Sequence, residues 1–146
     1  MNKSDGDLIR LWVPGRLTPW HRPRVNRVGG KQQWYIDPKD QMTRDKITFA
    51  WFQEMSNRRR FLIEIPPKDR PVSLRLEVVL QRPPSAPRSR FYPVTRPDLS
   101  NYLKQVEDAL NGVAFNDDSQ IVEVIAAKRY ANPRGDEGCL IELAVL

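Results

Sequence analysis

Among its 146 residues the chain has one cysteine, Cys139, and one histidine, His21. A single thiol cannot close an intrachain disulfide, and a zinc site built on thiolate or imidazole would have to draw most of its ligands from elsewhere. Cys139 has no conceivable base other than the distant His21, so it reads as a core residue rather than a nucleophile. No uninterrupted apolar run approaches the roughly 18 residues of a membrane span, and the opening MNKSDGDLIR has no apolar signal core. These absences predict a soluble protein in a reducing, cytoplasmic setting with no membrane partner. An aromatic RNP-type motif is also missing, which argues against the commonest RNA-binding module.

What is present is basic charge and proline. Lysine and arginine total 24 against 18 acidic residues, a net charge of +6, and 13 prolines punctuate the chain. An excess of cations favours a polyanion, because each neutralised phosphate releases condensed counterions. The charges are concentrated. Arg16 to Lys31 carries Arg16, Arg22, Arg24, Arg27 and Lys31 around prolines 19 and 23 and glycines 29 and 30, and reads as a basic loop or a loop around a short ribbon. Arg82 to Thr95 (RPPSAPRSRFYPVT) carries Arg82, Arg88 and Arg90 among four prolines, so it cannot be a helix or a central strand. Long loops of this kind are often functional.

The length suits one domain spanning residues 1–146. Strands are expected at Leu8 to Val13, at Gln33 to Ile36, at Val72 to Leu80 with Val72, Leu74, Leu76 and Val78 on one face, at Gln120 to Tyr130, and from Cys139 to Leu146. Asp37-Pro38 caps a helix over about residues 39–57, whose apolar surface would come from Met42, Ile47, Phe49, Ala50, Trp51 and Met55. Trp12, Trp34 and Trp51 read as packing residues, while Trp20, beside His21 and Arg22, is placed to stack on a base. Arg58, Arg59 and Arg60 follow the helix, where cations also complement its dipole. The fold class is α/β (α+β): a two-layer domain with a mixed sheet from the strands near 8, 72, 120 and 138, packed against two main helices.

The second helix, Asp98 to Asn111 (DLSNYLKQVEDALN), is amphipathic and stops at Gly112. Leu99, Tyr102, Leu103, Val106, Ala109 and Leu110 form one face, and Asp98, Asn101, Lys104, Gln105 and Asp108 form a stripe on the other, which in most helices is simply solvated. Asn116-Asp117-Asp118 follows before the next strand, and adjacent carboxylates repel unless solvated or sharing a cation. Helix residues 98 to 111 rise about 20 Å, and the six steps from 111 to 117 span at most about 20 Å. Asp117 or Asp118 can therefore meet Asp98 in one chain only through a nearly extended connection, and a two-fold dimer is the other route. Hard oxygen donors without histidine or cysteine suit Mg²⁺ or Mn²⁺. Ile121 and Ile125 on one side of their strand, with Val122 and Val124 on the other, also point to a homodimer.

The runs RPDLSNYLKQVEDALNG and NDDSQIVEVIAAK, with PGRLTPWHRPR upstream, resemble the RusA family of Holliday junction resolvases. The resemblance implies a small homodimeric Mg²⁺-dependent endonuclease of bacteria or prophages that resolves four-way DNA junctions in recombination and repair, with Mn²⁺ able to replace Mg²⁺ and no small-molecule cofactor. It places the catalytic aspartates at Asp98 and Asp118, with Asp117 beside the latter, and the helix lysine at Lys104. Where the best-known members have a further aspartate, this chain has Ser100, an uncharged oxygen donor for the metal. Arg22, Arg24, Arg88, Arg90 and Arg96 are the expected DNA-binding groups. The rival reading is a binder of branched DNA that kept the scaffold and lost its chemistry at Ser100.

Overall fold

The computed structural model describes residues 8–58, 65–133 and 135–146. Arg59 and Arg60 of the triple-arginine run lie outside them. The described elements run in the order β1 (Leu8–Pro14), β2 (Arg24–Val28), β3 (Lys31–Tyr35), α1 (Pro38–Asn57), β4 (Val72–Leu80), α2 (Leu99–Leu110), β5 (Ile121–Tyr130) and β6 (Gly138–Val145). Four strands form one sheet in the order β1-β6-β4-β5. β6 runs antiparallel to β1 and β4, and β4 runs parallel to β5. A parallel pair needs a crossover, and α2 supplies it. The sheet is mixed and two helices accompany it, as the hydrophobic patterning predicts.

The period-2 pattern decides which way the sheet faces. Val72, Leu74, Leu76 and Val78 are all buried, and with Ile141 and Leu143 of β6 and Val13 of β1 they form the sheet's contribution to the core. Ile47, Trp51 and Met55 of α1 and Tyr102, Val106 and Leu110 of α2 supply the helical layer. The opposite face of the sheet is laced with polar pairs: Arg10 with Glu142 at 2.7 Å, Arg129 with Glu77, and Ser73 Oγ donating to Glu123 at 2.6 Å. That division gives two layers, with water on one side of the sheet.

β2 and β3 form a separate ribbon whose two-residue turn, Gly29-Gly30, has φ of 58° and 77°. Positive φ at both central positions is the geometry of a tight hairpin turn, and glycine enters it without strain. The ribbon's residues are all exposed, so Trp34, at 68% exposure, is not the packing residue its type implies.

α1 starts as expected, with Asp37 accepting a hydrogen bond from the Lys39 N–H at 2.9 Å and proline in the first turn. Its inner face departs from expectation. The buried positions are Asp40, Thr43, Ile47, Trp51 and Met55, whereas Met42 and Phe49 are 61% and 67% exposed. The spacing is regular for a helix face, but two of its five positions are polar, which is why the apolar pattern alone is ragged.

Candidate active site and nucleic-acid interface

The segment after β1 is tied down by both helices. The Thr18 N–H donates to Thr43 Oγ1 at 3.0 Å, and the Trp20 N–H donates to the Asn101 carbonyl at 3.0 Å. Asp40 accepts twice from one residue: the His21 N–H meets Oδ2 at 2.9 Å and the His21 ring Nδ1 meets Oδ1 at 2.9 Å. Beneath them Gln105 Nε2 donates to the carbonyls of Thr18 and Asp40, both at 3.3 Å, while Gln105 Oε1 accepts from Arg44 Nε at 3.1 Å. Gln105 is 1% exposed. The polar stripe of α2 is therefore not a solvated face along its whole length. Its centre is an interhelical seam that also holds the basic segment in place.

Asp98 stands at the N-cap of α2 in an extended conformation, yet its side chain makes no capping bond. An aspartate there ordinarily spends its carboxylate on the first N–H groups of the helix. This one remains exposed, on a cleft of about 360 Å³ shared with Trp20, His21, Arg96 and Asn101. The approach to it is held by Lys128, whose Nζ donates to the Thr95 carbonyl at 2.7 Å and the Pro97 carbonyl at 2.9 Å. Ser100, in the first turn, is exposed.

Asp117 and Asp118 differ sharply. Asp117 caps the short 3-10 turn Asp118–Gln120, accepting from the Ser119 N–H at 2.9 Å, and that bond holds its carboxyl below the usual aspartate range. The turn is anchored by buried Gln120, whose Nε2 donates to Pro67 and Arg70 carbonyls and whose Oε1 accepts the N–H groups of Asn116 and Asp117. Asp118 is exposed, and its charge is felt by Lys104 and Glu107 of α2. Lys104 lies 2.9 Å from Asp108, and this hydrogen bond raises its pKa, so it remains an ammonium. Burial pushes the Glu107 carboxyl up.

Asp98 and Asp118 are not brought together within the chain. The connection from α2 is turned rather than extended: the Ala114 N–H returns to the Leu110 carbonyl at 2.8 Å and the Gly112 N–H to Phe115 at 2.8 Å. Asp118 precedes the start of β5, while Asp98 lies at the end marked by Lys128, seven residues or about 23 Å along that strand. Among the described residues no three acidic, histidine or cysteine side chains gather closely enough to hold a metal ion.

Of the candidate arginines, Arg96 lines the Asp98 cleft, Arg22 follows His21 in the segment beside it, and Arg88 lines a separate hollow with Arg82 and Tyr130. Arg22, Arg24, Arg88, Arg90 and Arg96 are exposed, and among the described residues none has a carboxylate partner. Arg82 is instead used structurally, over the Tyr130 ring at 4.9 Å and donating to the Pro87 carbonyl at 2.6 Å. The pair that residue types alone do not reveal is His21 with Asp40. The sequence signal for it is polar Asp40 and Thr43 at helix spacing with apolar Ile47, Trp51 and Met55. Cys139 is buried and its thiol is pushed up by desolvation, in keeping with a core role.

The chain is thus a basic two-layer domain with an exposed aspartate at a helix N-terminus on a cleft that Arg96 also lines, and the family comparison gives its class. The model of Endodeoxyribonuclease RusA matches residues 14–135, and the chain belongs to that family. It is also similar to the uncharacterized protein YqaN of Bacillus subtilis (strain 168), 37% identical over 135 residues that cover 86% of this chain and 89% of that protein.

Proposed function

We propose that the chain is a Mg²⁺-dependent, structure-specific DNA endonuclease of the cytoplasm that resolves four-way junctions by paired cuts, acting as a homodimer in DNA recombination and repair. The observation that carries this reading is the exposed carboxylate of Asp98, without a hydrogen-bond partner among the described residues and positioned by Lys128 and α2 on a cleft that Arg96 also lines, in a chain of the RusA endodeoxyribonuclease family. Arg22, Arg24, Arg88, Arg90 and Arg96 grip phosphates and set the DNA in register. Lys104, kept charged by Asp108, contributes a positive field rather than a proton acceptor.

The donors available are hard oxygens, which suit Mg²⁺ or Mn²⁺. One chain does not complete the site, because Asp98, with Ser100 beside it, and Asp118 lie apart. Two chains do complete it if they meet along β5, the edge of the sheet, where Val122, Val124 and Ile125 are exposed. A two-fold axis makes such a pair antiparallel. It sets the acidic end of one strand, Asp117 and Asp118, against the basic end of the other, Lys128 and Arg129. Asp118 of the partner subunit then comes to the Asp98 end, and Asp117, already spent on its cap, supports it. A bound divalent cation there would neutralise phosphate charge and acidify water.

The test is cleavage of a labelled synthetic four-way junction in Mg²⁺, in Mn²⁺ and in EDTA. Symmetric nicks that require metal are expected. Tight binding in EDTA with no cutting in either metal would instead favour a branched-DNA binder that lost its chemistry with Ser100 in place of the family's aspartate.

A further inference from the structure

We infer that His21, oriented by Asp40, is the catalytic group that accepts the proton of the attacking water in the Asp98 cleft, an inference that rests on the nuclease reading above. Asp40 is 1% exposed and occupies an inner-face position of α1 where an apolar side chain would pack. A buried carboxylate is costly unless its oxygens are satisfied, and among the described residues its donors are the main chain and the ring of His21 alone. Anchoring the segment would need only the main-chain bond, which any residue but proline could make at position 21. The second bond uses the imidazole.

A carboxylate 2.9 Å from Nδ1 holds the proton on that nitrogen, so the neutral ring carries its lone pair on Nε2, on the far side from Asp40. His21 lines the cleft with Trp20, Arg96, Asp98 and Asn101, and its side chain is half exposed while Asp40 behind it is buried. Asp40 thus fixes both the tautomer and the direction of the ring, the task of the orienting carboxylate in His-Asp pairs generally. The step balances without a further reactant. Water loses a proton to Nε2 as its oxygen bonds to phosphorus, the bond from phosphorus to the leaving deoxyribose oxygen breaks, and that oxygen takes a proton from solvent. The exposed imidazolium then returns its proton to water.

The experiment compares wild type, His21→Ala, His21→Gln, Asp40→Asn and Asp98→Asn on a four-way junction, measuring single-turnover cleavage and, separately, affinity in EDTA. General-base removal should slow cleavage of both His21 variants by roughly 10²- to 10⁴-fold, with affinity within about threefold of wild type. Free imidazole should restore part of the His21→Ala rate and none of the Asp98→Asn rate. Asp40→Asn should fall by about tenfold, with Nε2 no longer the favoured lone-pair nitrogen. Because the chain has one histidine, its ¹⁵N imidazole signals report that tautomer directly, whatever the activity. His21 variants that cut at the wild-type rate would overturn the inference and leave the nuclease reading intact. Rate loss matched by affinity loss, without imidazole rescue, would also overturn it, making His21 a DNA-positioning residue. A wild-type protein that binds junctions and cuts in no metal would sink both readings.

Discussion

Replacing Gln105 by leucine tests whether the basic segment depends on the seam between the helices. The side chains are similar in size, so the change removes hydrogen bonds with little change of volume. Three are lost: the charge-assisted bond from Arg44 Nε at 3.1 Å, and the two longer ones to the Thr18 and Asp40 carbonyls at 3.3 Å. The first is worth about 1.5–3 kcal/mol and the others about 0.5 kcal/mol each, since they are long. Burying leucine in place of an amide returns part of this, leaving a net loss of about 2–3 kcal/mol. For a chain of this size that is a fall in melting temperature of roughly 4–12 °C. Arg44 keeps Asp108 at 3.1 Å, so the helices should stay associated and the loss should be local. Thr18 loses one of its anchors, and limited trypsin digestion should therefore cut faster at Arg16 and Arg24, which flank it and are exposed, than in wild type. A Gln105→Leu protein within about 0.5 kcal/mol of wild type by urea denaturation, with unchanged trypsin kinetics, would refute the reasoning.

Three further outcomes follow from the site. Asp98→Asn should lower metal-dependent cleavage by more than ~100-fold, the upper range for disturbing only a ligand's support, and leave binding in EDTA unchanged or slightly tighter; a wild-type rate would remove Asp98 from the site. Alanine at Arg22, Arg24, Arg88 or Arg90 should flatten the dependence of log K on log salt by about one unit per lost phosphate contact, and an unchanged slope would return that arginine to ordinary surface. Light scattering at micromolar concentration should give twice the 17.0 kDa chain mass, and Val124→Asp on the β5 edge should halve it and abolish paired cutting without unfolding the chain; a wild type at 17.0 kDa would refute the dimer.

How much of the fold the residues disclose depends on whether one physical preference dominates each segment. β4 alternates because one face is core and the other is water, so its face and limits are legible. The start of α1 is equally plain, because Asp37 and Pro38 act locally. Its buried face is not, because Asp40 and Thr43 serve the segment that carries Thr18 and His21, and periodicity in hydrophobicity cannot register a polar residue buried for a partner 19 or 25 residues away. The ribbon's Trp34 misleads for the converse reason: its type favours burial, but nothing among the described residues covers the ribbon.

The same limit governs the site. The polar helix stripe and the adjacent pair Asp117-Asp118 stand out in the sequence as candidates, and it is the family resemblance that singles out Asp98 and Asp118 among them. Their relation is not legible, because it turns on the path of six residues after α2. Reach allows an extended connection, but Leu110 and Phe115 are both fully buried, and burying both draws the chain into a turn closed by Gly112, whose φ of 76° suits glycine. The hydrophobic demand of two core residues thus separates the carboxylates in one chain. It leaves Asp118 at the head of an edge strand whose far end is basic, and in the proposed dimer two copies of that strand related by a two-fold axis would bring the two carboxylates back together.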